Sequence, residues 1–313
     1  MIAILLSTYN GEKYLNELLQ SLVSQSYSGF KILIRDDGSS DSTLSLLRYY
    51  ESNYPELIEV FHNDKNENLG VKGSFEYLMK NAFGFDYFAF CDQDDVWHPN
   101  KIDLLISEIK KIEDEIIQDF PVLIFSDMEI VDENLKFLNK TFYNNTIGFK
   151  QSKIKNGLFQ GYISGCLMLF NLKAKEVYFK TEKSKLLHDY NLYMAVHIYG
   201  KVSYFPKQLI MHRIHASNFF GISSPSPWKI EVLDLIKFIF DNESYRKIKL
   251  ADYFSFIEEV ADDIDYIIRS NKELYNIMQV TSLSYFKRKK WYIKHFLPFK
   301  LGFIRGLIHI ILI

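Results

Sequence analysis

Short apolar runs alternate with helical patterns over residues 1–116, and this alternation limits the folds open to the chain. Ile2–Leu6 is a continuous apolar run, and leucines then repeat at helical spacing over residues 15–22. The same unit returns, with further strands predicted at residues 32–34, 57–61 and 87–91. A continuous apolar run indicates a strand that is covered on both faces. Strands that alternate with helices predict an α/β fold with a mainly parallel sheet and helices on both faces.

Three polar segments each follow the last apolar residue of a predicted strand. They are Ser7–Asn10, Arg35–Gly38 and Asp92–Asp95. In sheets of this kind, ligands bind beyond the carboxyl ends of the strands. We therefore expect the three segments to open on the same edge of the sheet and to converge on one ligand.

The third segment concentrates negative charge in a short stretch. Asp92, Asp94 and Asp95 lie within four positions of one another, and carboxylates that close raise one another's pKa unless a cation or a donor network holds them. This pattern indicates a cation at the turn. The alternative is a solvated acidic loop before the next helix, for which Pro99 at a first helical position is a suitable start.

The composition excludes several classes of protein. A chain of 313 residues with 48% hydrophobic residues is globular, and a net charge of −2 gives no reason to expect nucleic acid as a partner. Cys91 and Cys166 have no paired spacing, so neither a disulfide framework nor a thiolate metal site is indicated. The N-terminal apolar run is too short for a signal peptide, and no uncharged apolar run reaches the roughly 18 to 20 residues that span a bilayer. These features predict a cytoplasmic protein.

The second half of the chain is less regular. Strands are expected at residues 122–125, 163–170 and 202–205, and a helix at residues 192–198. Ile222–Trp228 has linker composition, and helical spacing resumes over residues 254–264. We therefore expect a first domain of residues 1–221 and a helical C-terminal region of residues 222–313.

The end of the chain interleaves cations with large apolar side chains. After Glu273 the sequence contains seven basic residues and no acidic one. Such a composition suits an amphipathic helix in the headgroup region of a membrane, where basic side chains meet anionic lipid. The alternative is a helix packed on the first domain or on a second subunit, which would make the protein a homodimer.

Several motifs together resemble the family-two inverting glycosyltransferases of GT-A fold. These motifs are Leu6–Glu12, Ile34–Asp41 and Phe90–Trp97. Others are similar to the rhamnosyltransferase group that builds bacterial cell-wall and capsular polysaccharide, namely Asn68–Phe75, Ile163–Phe170, His188–Tyr190 and His212–His215. They keep the family's order and spacing over residues 1–220, so the set is more specific than any one motif. The resemblance implies a GT-A catalytic domain over residues 1–221.

The resemblance also implies that the end of the first strand binds the nucleotide of a sugar donor. Tyr9 would offer an aromatic face, and Asp37 would accept a hydrogen bond from an imide or hydroxyl group. A core aromatic is the alternative for Tyr9. The implied nucleotide-binding residues are Ser7, Thr8, Tyr9, Glu12, Asp37, Asn68, Lys72 and Asp92.

A metal site is implied by the match of Asp92 and Asp94 to the family's DxD pair. There, Mn²⁺ or Mg²⁺ bridges the protein and the diphosphate and neutralises charge on the departing nucleoside diphosphate. His215 matches a position that completes the metal shell. A buried, hydrogen-bonded histidine is the alternative for His215.

Asp189 holds the family position of the base that takes a proton from the acceptor hydroxyl. His188 beside it would either orient the carboxylate or cap the following helix. The residues expected near the donor and acceptor sugars are Trp97, Gly165, His188, Tyr190 and Arg213. Lys72 and Arg213 are also expected to contact the diphosphate, with an ordinary surface cation as the alternative for each. The family usually has Trp at position 190 and Tyr-Arg-Gln-His at positions 212–215, and these departures bear on which sugar is used.

Taken as a whole, the resemblance implies an inverting transfer of L-rhamnose from dTDP-β-L-rhamnose. The acceptor would be a hydroxyl of a lipid-linked glycan in cell-wall or capsular polysaccharide synthesis, at the inner face of the plasma membrane. One alternative is the same chemistry with another nucleotide sugar, such as a UDP-hexose. Another is a catalytically silent scaffold for glycan assembly. A sugar nucleotidylyltransferase would need an early glycine-rich, basic phosphate loop, which this sequence lacks.

Overall fold

In a computed structural model, the described part of the chain comprises residues 1–61, 67–116, 119–141 and 163–215, with Phe256, Glu259 and Val260. The tail of residues 284–313 and most of the helix expected at residues 254–264 lie outside this part. The chain divides into two units, Met1–Glu182 with Leu187–Gly221, and Lys183–Leu186 with Ile222–Ile313. The elements named below all belong to the first unit. The functional division at residue 221 stays a prediction.

Nine strands and six helices are present in the described part of the first unit. Their order is β1 (Ile2–Thr8), α1 (Leu15–Val23), β2 (Phe30–Asp36), α2 (Thr43–Asn53), β3 (Ile58–Phe61), α3 (Gly70–Asn81), β4 (Tyr87–Cys91), β5 (Val96–Trp97), α4 (Lys101–Asp114), β6 (Val122–Val131), β7 (Phe137–Thr141), a 3₁₀ turn (Gly165–Leu167), β8 (Met168–Asn171), α5 (Leu172–Lys180), α6 (His188–Tyr199) and β9 (Lys201–Arg213). Within the same residues, no helix combines the length and the apolar character needed to cross a bilayer.

The strands form one mixed sheet in the order β3-β2-β1-β4-β8-β6-β9-β5, and β7 pairs with β6. The β3-β2-β1-β4 half is parallel throughout. From β8 onward the direction changes, because β8 is antiparallel to both β4 and β6, whereas β9 runs parallel to β6. The parallel half therefore has one edge at which three strand ends open together.

The core lies against the centre of the sheet, where side chains are buried on both faces. Every residue of Ile2–Leu6 is fully buried, and α3 packs against this strand. Phe88 and Phe90 of β4 pack on Phe170 of β8, with ring-centroid distances of 5.7 and 5.0 Å. Each large apolar side chain buried in this way contributes roughly 1.5–3 kcal/mol, so the strands that carry the site loops are held firmly.

The predicted elements of the first half are confirmed, and the second half differs from expectation. The run expected as one strand at residues 163–170 is instead a 3₁₀ turn followed by the short strand β8. Helix α5 was not predicted, and β9 extends from Lys201 to Arg213, well beyond the strand expected at residues 202–205. The sheet is consequently mixed, with its parallel character confined mostly to the first half.

The start of β9 depends on a close approach at Gly200. A Cβ atom at this position would lie 2.6 Å from Pro121 Cβ and 2.8 Å from its carbonyl carbon, while Lys201 N donates to Pro121 O at 2.8 Å. We expect Gly200→Ala to lower the free energy of unfolding by about 1–3 kcal/mol, as overpacking does. Denaturant unfolding measures this loss. Lys201→Ala at the exposed neighbouring position is the control and should change stability by less than about 0.5 kcal/mol; an equal effect of both variants would contradict the steric explanation.

Candidate active site

The carboxyl ends of β2, β1 and β4 lie side by side, and the three polar segments begin there. Hydrogen bonds connect these segments beyond the strands. Thr8 Oγ1 donates to Asp36 Oδ1 at 2.9 Å, and Tyr9 N donates to Gln93 Oε1 at 2.9 Å. The structure therefore brings the segments together on one sheet edge, as their sequence positions predict.

Tyr9 provides an exposed aromatic ring at this edge. The residue is 51% exposed, so it is not the core aromatic that was its alternative. An exposed ring at the end of a parallel strand can stack on the face of a nucleotide base. Its predicted contact with the base therefore has a suitable surface.

Asp37 is only 3% exposed, and its carboxylate is bonded within the protein. Oδ1 accepts from Leu69 N and Oδ2 accepts from Gly70 N, both at 2.8 Å. Arg35 forms an ion pair with the same carboxylate. A carboxylate at a helix N-terminus is stabilised by the helix dipole, so Asp37 fixes the start of α3 beside the site. Its contact with a nucleotide stays a prediction.

The remaining predicted nucleotide-binding residues lie in or beside the same loops; they are Ser7, Thr8, Glu12, Asn68 and Lys72. Glu12 accepts from the backbone N–H that precedes α2, at 2.9 Å. Asn68 Nδ2 donates to the carbonyl of Asp37 at 3.0 Å, and Lys72 Nζ donates to the carbonyl of Glu182 at 3.2 Å. These contacts join neighbouring loops to one another. Direct contacts with a nucleotide stay predictions.

The acidic loop, residues Asp92–Asp95, has the charge pattern of a cation site. Burial, together with the charges of Asp95 and Asp94, raises the pKa of Asp92 to about 8. Burial and Asp95 also raise the pKa of Asp94, whose Oδ2 lies 2.9 Å from Nε2 of His215. Carboxylates this close favour a bound cation. Carboxylate oxygens with one imidazole fit Mn²⁺ or Mg²⁺, which take their remaining ligands from phosphate and water.

The structure does not gather Asp92, Asp94 and His215 into one tight cluster. Among the described residues, the group of three whose potential ligand atoms lie within 4.8 Å of one another is Asp95, Cys166 and His212. Asp94 and His215 form a close pair, because β9 ends beside the acidic loop, whereas Asp92 directly follows β4. The pair is the better supported part of the predicted metal site, and the role of Asp92 stays a prediction.

Two cations, a half-buried histidine and a buried lysine, lie beside the acidic loop. His212 Nδ1 lies 2.8 Å from Asp95 Oδ1. Burial disfavours the charged form of both groups, but their attraction outweighs it. The pKa of Asp95 is therefore lowered, and that of His212 is raised to about 9. Lys101 Nζ donates to Cys166 O at 2.6 Å and lies 3.3 Å from the centroid of the Trp97 ring. Burial lowers the pKa of Lys101 to about 8. These cations offset part of the carboxylate charge.

Sequence reasoning missed Lys101 and Gln93. Lys101 is the first residue of α4, where the helix dipole disfavours a cation, and this unfavourable placement is a signal that could have identified it. Gln93 bonds to Tyr9, which lies 84 positions away, so no local pattern pointed to its role.

Asp189 lies in the first turn of α6, facing the 3₁₀ turn. Its Oδ2 accepts from Gly165 N at 3.2 Å and its Oδ1 from Tyr190 N at 2.7 Å. A Cβ atom at Gly165 would lie 3.2 Å from both Asp189 Cβ and His188 Nε2, so a residue without a side chain allows this approach. The charge of Asp189 also contributes to the raised pKa of Asp92, so the two carboxylates are close enough to interact. The role of Asp189 as the base stays a prediction.

His188 is packed between aromatic rings and forms neither of its two expected contacts. Its ring stacks on that of Phe75 with the centroids 4.1 Å apart, and it meets the Phe90 ring edge-on with the centroids 4.7 Å apart. Neither ring nitrogen has a hydrogen-bond partner in the described part of the chain, and α6 begins without a side-chain cap. Burial lowers the pKa of His188 to about 4. His188 therefore provides a neutral ring that packs on Phe75 and Phe90 next to Asp189 in the sequence.

Trp97 and Arg213 were expected near the sugars, and both are buried. Arg213 is 1% exposed, so it is not the ordinary surface cation that was its alternative. Its Nε donates to the carbonyl of Asp94 at 3.0 Å, its guanidinium pairs with Glu17, and it lies 4.4 Å from the centroid of the Tyr14 ring. Arg213 therefore holds the backbone of the acidic loop. Its contact with a donor stays a prediction, as do those of Trp97, Gly165, His188 and the half-buried Tyr190.

Comparison with known proteins shows to which family the chain is similar. The model of glycosyl transferase family 2 matches residues 3–177. An uncharacterized glycosyltransferase of Rickettsia typhi is 27% identical over 219 residues, which are 69% of this chain and 64% of the relative. The dTDP-rhamnosyl transferase RfbG of Shigella flexneri is 26% identical over 254 residues, which are 77% of this chain and 81% of the relative. Two further Rickettsia relatives are matched over only 30% and 34% of their length.

A solved structure shows the same fold. Residues 1–349 of Staphylococcus aureus TarS, in complex with UDP-GlcNAc, superpose with a TM-score of 0.54 at 16% sequence identity. The match covers 85% of this chain and 81% of that one. Because the family model covers more than half of its residues, this chain belongs to glycosyl transferase family 2, and its fold is the predicted GT-A fold.

Proposed function

We propose that this protein transfers a sugar from a nucleotide sugar to an acceptor hydroxyl, with inversion at the anomeric carbon. The observation that carries the proposal is the meeting of three features at one sheet edge. These are the exposed ring of Tyr9, the Asp94–His215 pair and the carboxylate of Asp189. A surface for a base, a site for a cation and a proton acceptor are what such a transfer needs.

The chemistry follows from where these side chains lie. Tyr9 stacks on the nucleotide base, which orients the donor along the edge of the sheet. Asp94 and His215, with Asp92, would hold Mn²⁺ or Mg²⁺, which stabilises the charge of the departing diphosphate when bound. Asp189 takes the proton of the acceptor hydroxyl as that oxygen attacks from the face opposite the diphosphate. Gly165 N holds one oxygen of Asp189, which fixes its orientation.

The donor we propose is dTDP-β-L-rhamnose, which gives an α-L-rhamnoside. The support is the match to the rhamnosyltransferase motifs and the similarity to the dTDP-rhamnosyl transferase RfbG. The acceptor would be a lipid-linked glycan of cell-wall or capsular polysaccharide. A UDP-hexose donor is the second candidate, because TarS, which shares the fold, is described with UDP-GlcNAc.

A donor panel tests the proposed function. Purified protein is offered dTDP-rhamnose, UDP-glucose, UDP-GlcNAc and GDP-mannose with manganese, and release of nucleoside diphosphate is followed with and without chelator. We expect the fastest release from dTDP-rhamnose, and loss of release on chelation. Preference for a UDP-hexose would replace the donor and keep the chemistry. Absence of release and transfer with every donor would favour the silent scaffold.

Attachment to the inner face of the plasma membrane is part of the same proposal. Residues 284–313 contain seven basic and no acidic residues, and basic segments of this kind bind anionic lipid. We expect removal of residues 284–313 to weaken binding to vesicles that contain phosphatidylglycerol and to leave donor hydrolysis intact. Cosedimentation with anionic and with neutral vesicles measures the difference. Equal binding by both proteins would contradict the membrane role, and loss of folding would favour a tail packed on the protein or in a dimer.

A further inference from the structure

Gln93 stands between Asp92 and Asp94 in the sequence, and its side-chain amide bonds to the backbone of Tyr9. Its Oε1 accepts from Tyr9 N at 2.9 Å, and its Nε2 donates to Tyr9 O at 3.0 Å. Both hydrogen-bonding groups of the Tyr9 backbone are therefore paired with one side chain. The half-buried Gln93 joins the acidic loop to the residue that carries the exposed aromatic ring.

This contact continues the sheet where the backbone ladder has ended. The pairing of β1 with β4 stops at Leu6↔Cys91, so Tyr9 lies beyond the last backbone pair between these strands. The amide of Gln93 replaces the missing partner strand, because it offers one donor and one acceptor as a peptide group does. The backbone of the acidic loop can then turn away from β1 while the contact to Tyr9 is kept.

The space that the Gln93 amide occupies is available because residue 11 is a glycine. A Cβ atom at Gly11 would lie 2.9 Å from Cδ of Gln93 and closer still to Oε1. Gly11 does not have a positive φ, so alanine is compatible with its backbone conformation. The steric conflict with Gln93 is thus the main cost expected for an alanine here.

We infer that Gln93 is a positioning residue that sets the distance between the nucleoside end and the diphosphate end of the donor site. The inference rests on the proposed function. A nucleoside diphosphate has a limited reach from its base to its phosphates, so a ring at Tyr9 and a cation at Asp94 act on one molecule only when their spacing is held. The two hydrogen bonds from Gln93 hold this spacing without contact to the donor.

Four variants test the positioning role, and the first of them, Gln93→Ala, removes the amide together with most of the side chain. Gln93→Met keeps the length of the side chain and removes both hydrogen bonds. Gly11→Ala leaves Gln93 in the chain and displaces its amide. The double variant Gly11→Ala/Gln93→Ala removes the side chain that the new methyl group would meet. Gln20→Met, on the exposed side of α1, is the matched control.

The measurement is the affinity for dTDP by calorimetric titration, with and without manganese, together with donor KM and kcat. For Gln93→Met and Gly11→Ala we expect the manganese-dependent gain in dTDP affinity to fall about tenfold, in line with the loss of two ordinary hydrogen bonds. Binding without manganese should change little, donor KM should rise, and kcat should be largely kept. The double variant should be no weaker than Gln93→Ala alone, because the steric conflict is gone.

The possible failures can be distinguished. If the wild-type protein bound dTDP and UDP equally weakly with and without manganese, the proposed function would be overturned, and the inference that rests on it as well. If the wild type showed the gain and both single variants kept it, the positioning role would be overturned and the proposed function would stand. Additive losses from Gly11→Ala and Gln93→Ala would also overturn the inference. A fall in melting temperature with an unchanged gain would assign Gln93 a purely structural role.

Discussion

Asp189→Asn is expected to lower the rate of sugar transfer about a hundredfold or more, the usual contribution of a general base. Asparagine keeps the shape of the side chain and one oxygen that can accept from Gly165 N, but it cannot take a proton. Donor and cation affinity should remain, since Asp189 makes its hydrogen bonds to Gly165 and Tyr190, whereas His215 meets the carboxylate of Asp94. The loss should therefore appear in turnover more than in KM.

Single-turnover transfer to a defined acceptor, at saturating donor and manganese, measures this effect. Asp103→Asn is the matched control. Both aspartates lie in the first turn of a helix, Asp103 in α4 and Asp189 in α6, but Asp103 is exposed and lies outside the site. Substitutions at exposed positions usually change stability by less than about 0.5 kcal/mol, so the control should be active. Comparable rates for the wild type and Asp189→Asn would show that another group is the base.

Asp94→Ala should abolish the manganese-dependent part of nucleotide binding. The carboxylate of Asp94 is the one that meets His215, and the remaining Asp92 is not gathered into a cluster with that histidine. One carboxylate then has to hold a cation that prefers several charged oxygen ligands. Base stacking on Tyr9 should persist, leaving weak binding that no longer responds to manganese.

Titration of dTDP with and without manganese measures this loss. Asp114→Ala removes an exposed carboxylate at the end of α4 and serves as the control. An unchanged response to manganese in Asp94→Ala would locate the cation elsewhere. The Asp95, Cys166 and His212 group would then be the next set to vary.

The first half of the fold could be predicted because its signals are local. Ile2–Leu6 forms a buried central strand whether or not its partners are known, and the polar residues that follow each such strand necessarily open on one edge of a parallel sheet. The approach of Asp189 to this edge came from the family resemblance and from no local pattern. Its partner Gly165 lies on a different element, 24 positions away.

The second half could not be predicted in the same way because long-range pairing decides it. Residues 163–170 have the apolar composition of one strand, but the chain forms a 3₁₀ turn that begins at Gly165. The backbone N–H of Gly165 donates to Asp189, which lies on another element. Strand β9 contains the polar residues Lys207 and Gln208, which interrupt the apolar pattern. Pairing with β6 nevertheless keeps Lys201–Arg213 extended, and the register of this pairing shifts along the strands. Burial of Arg213 likewise depends on partners from three separate regions.

Arg213 has a practical consequence for protein engineering. One guanidinium at the end of β9 is bonded to the loop that carries Asp94, pairs with Glu17 of α1 and packs on Tyr14. The planar fork that makes these contacts together cannot be imitated by lysine. The acidic loop transplanted as a sequence alone would lack this support. Chimeras with other transferases should therefore exchange α1, the acidic loop and the end of β9 as one module.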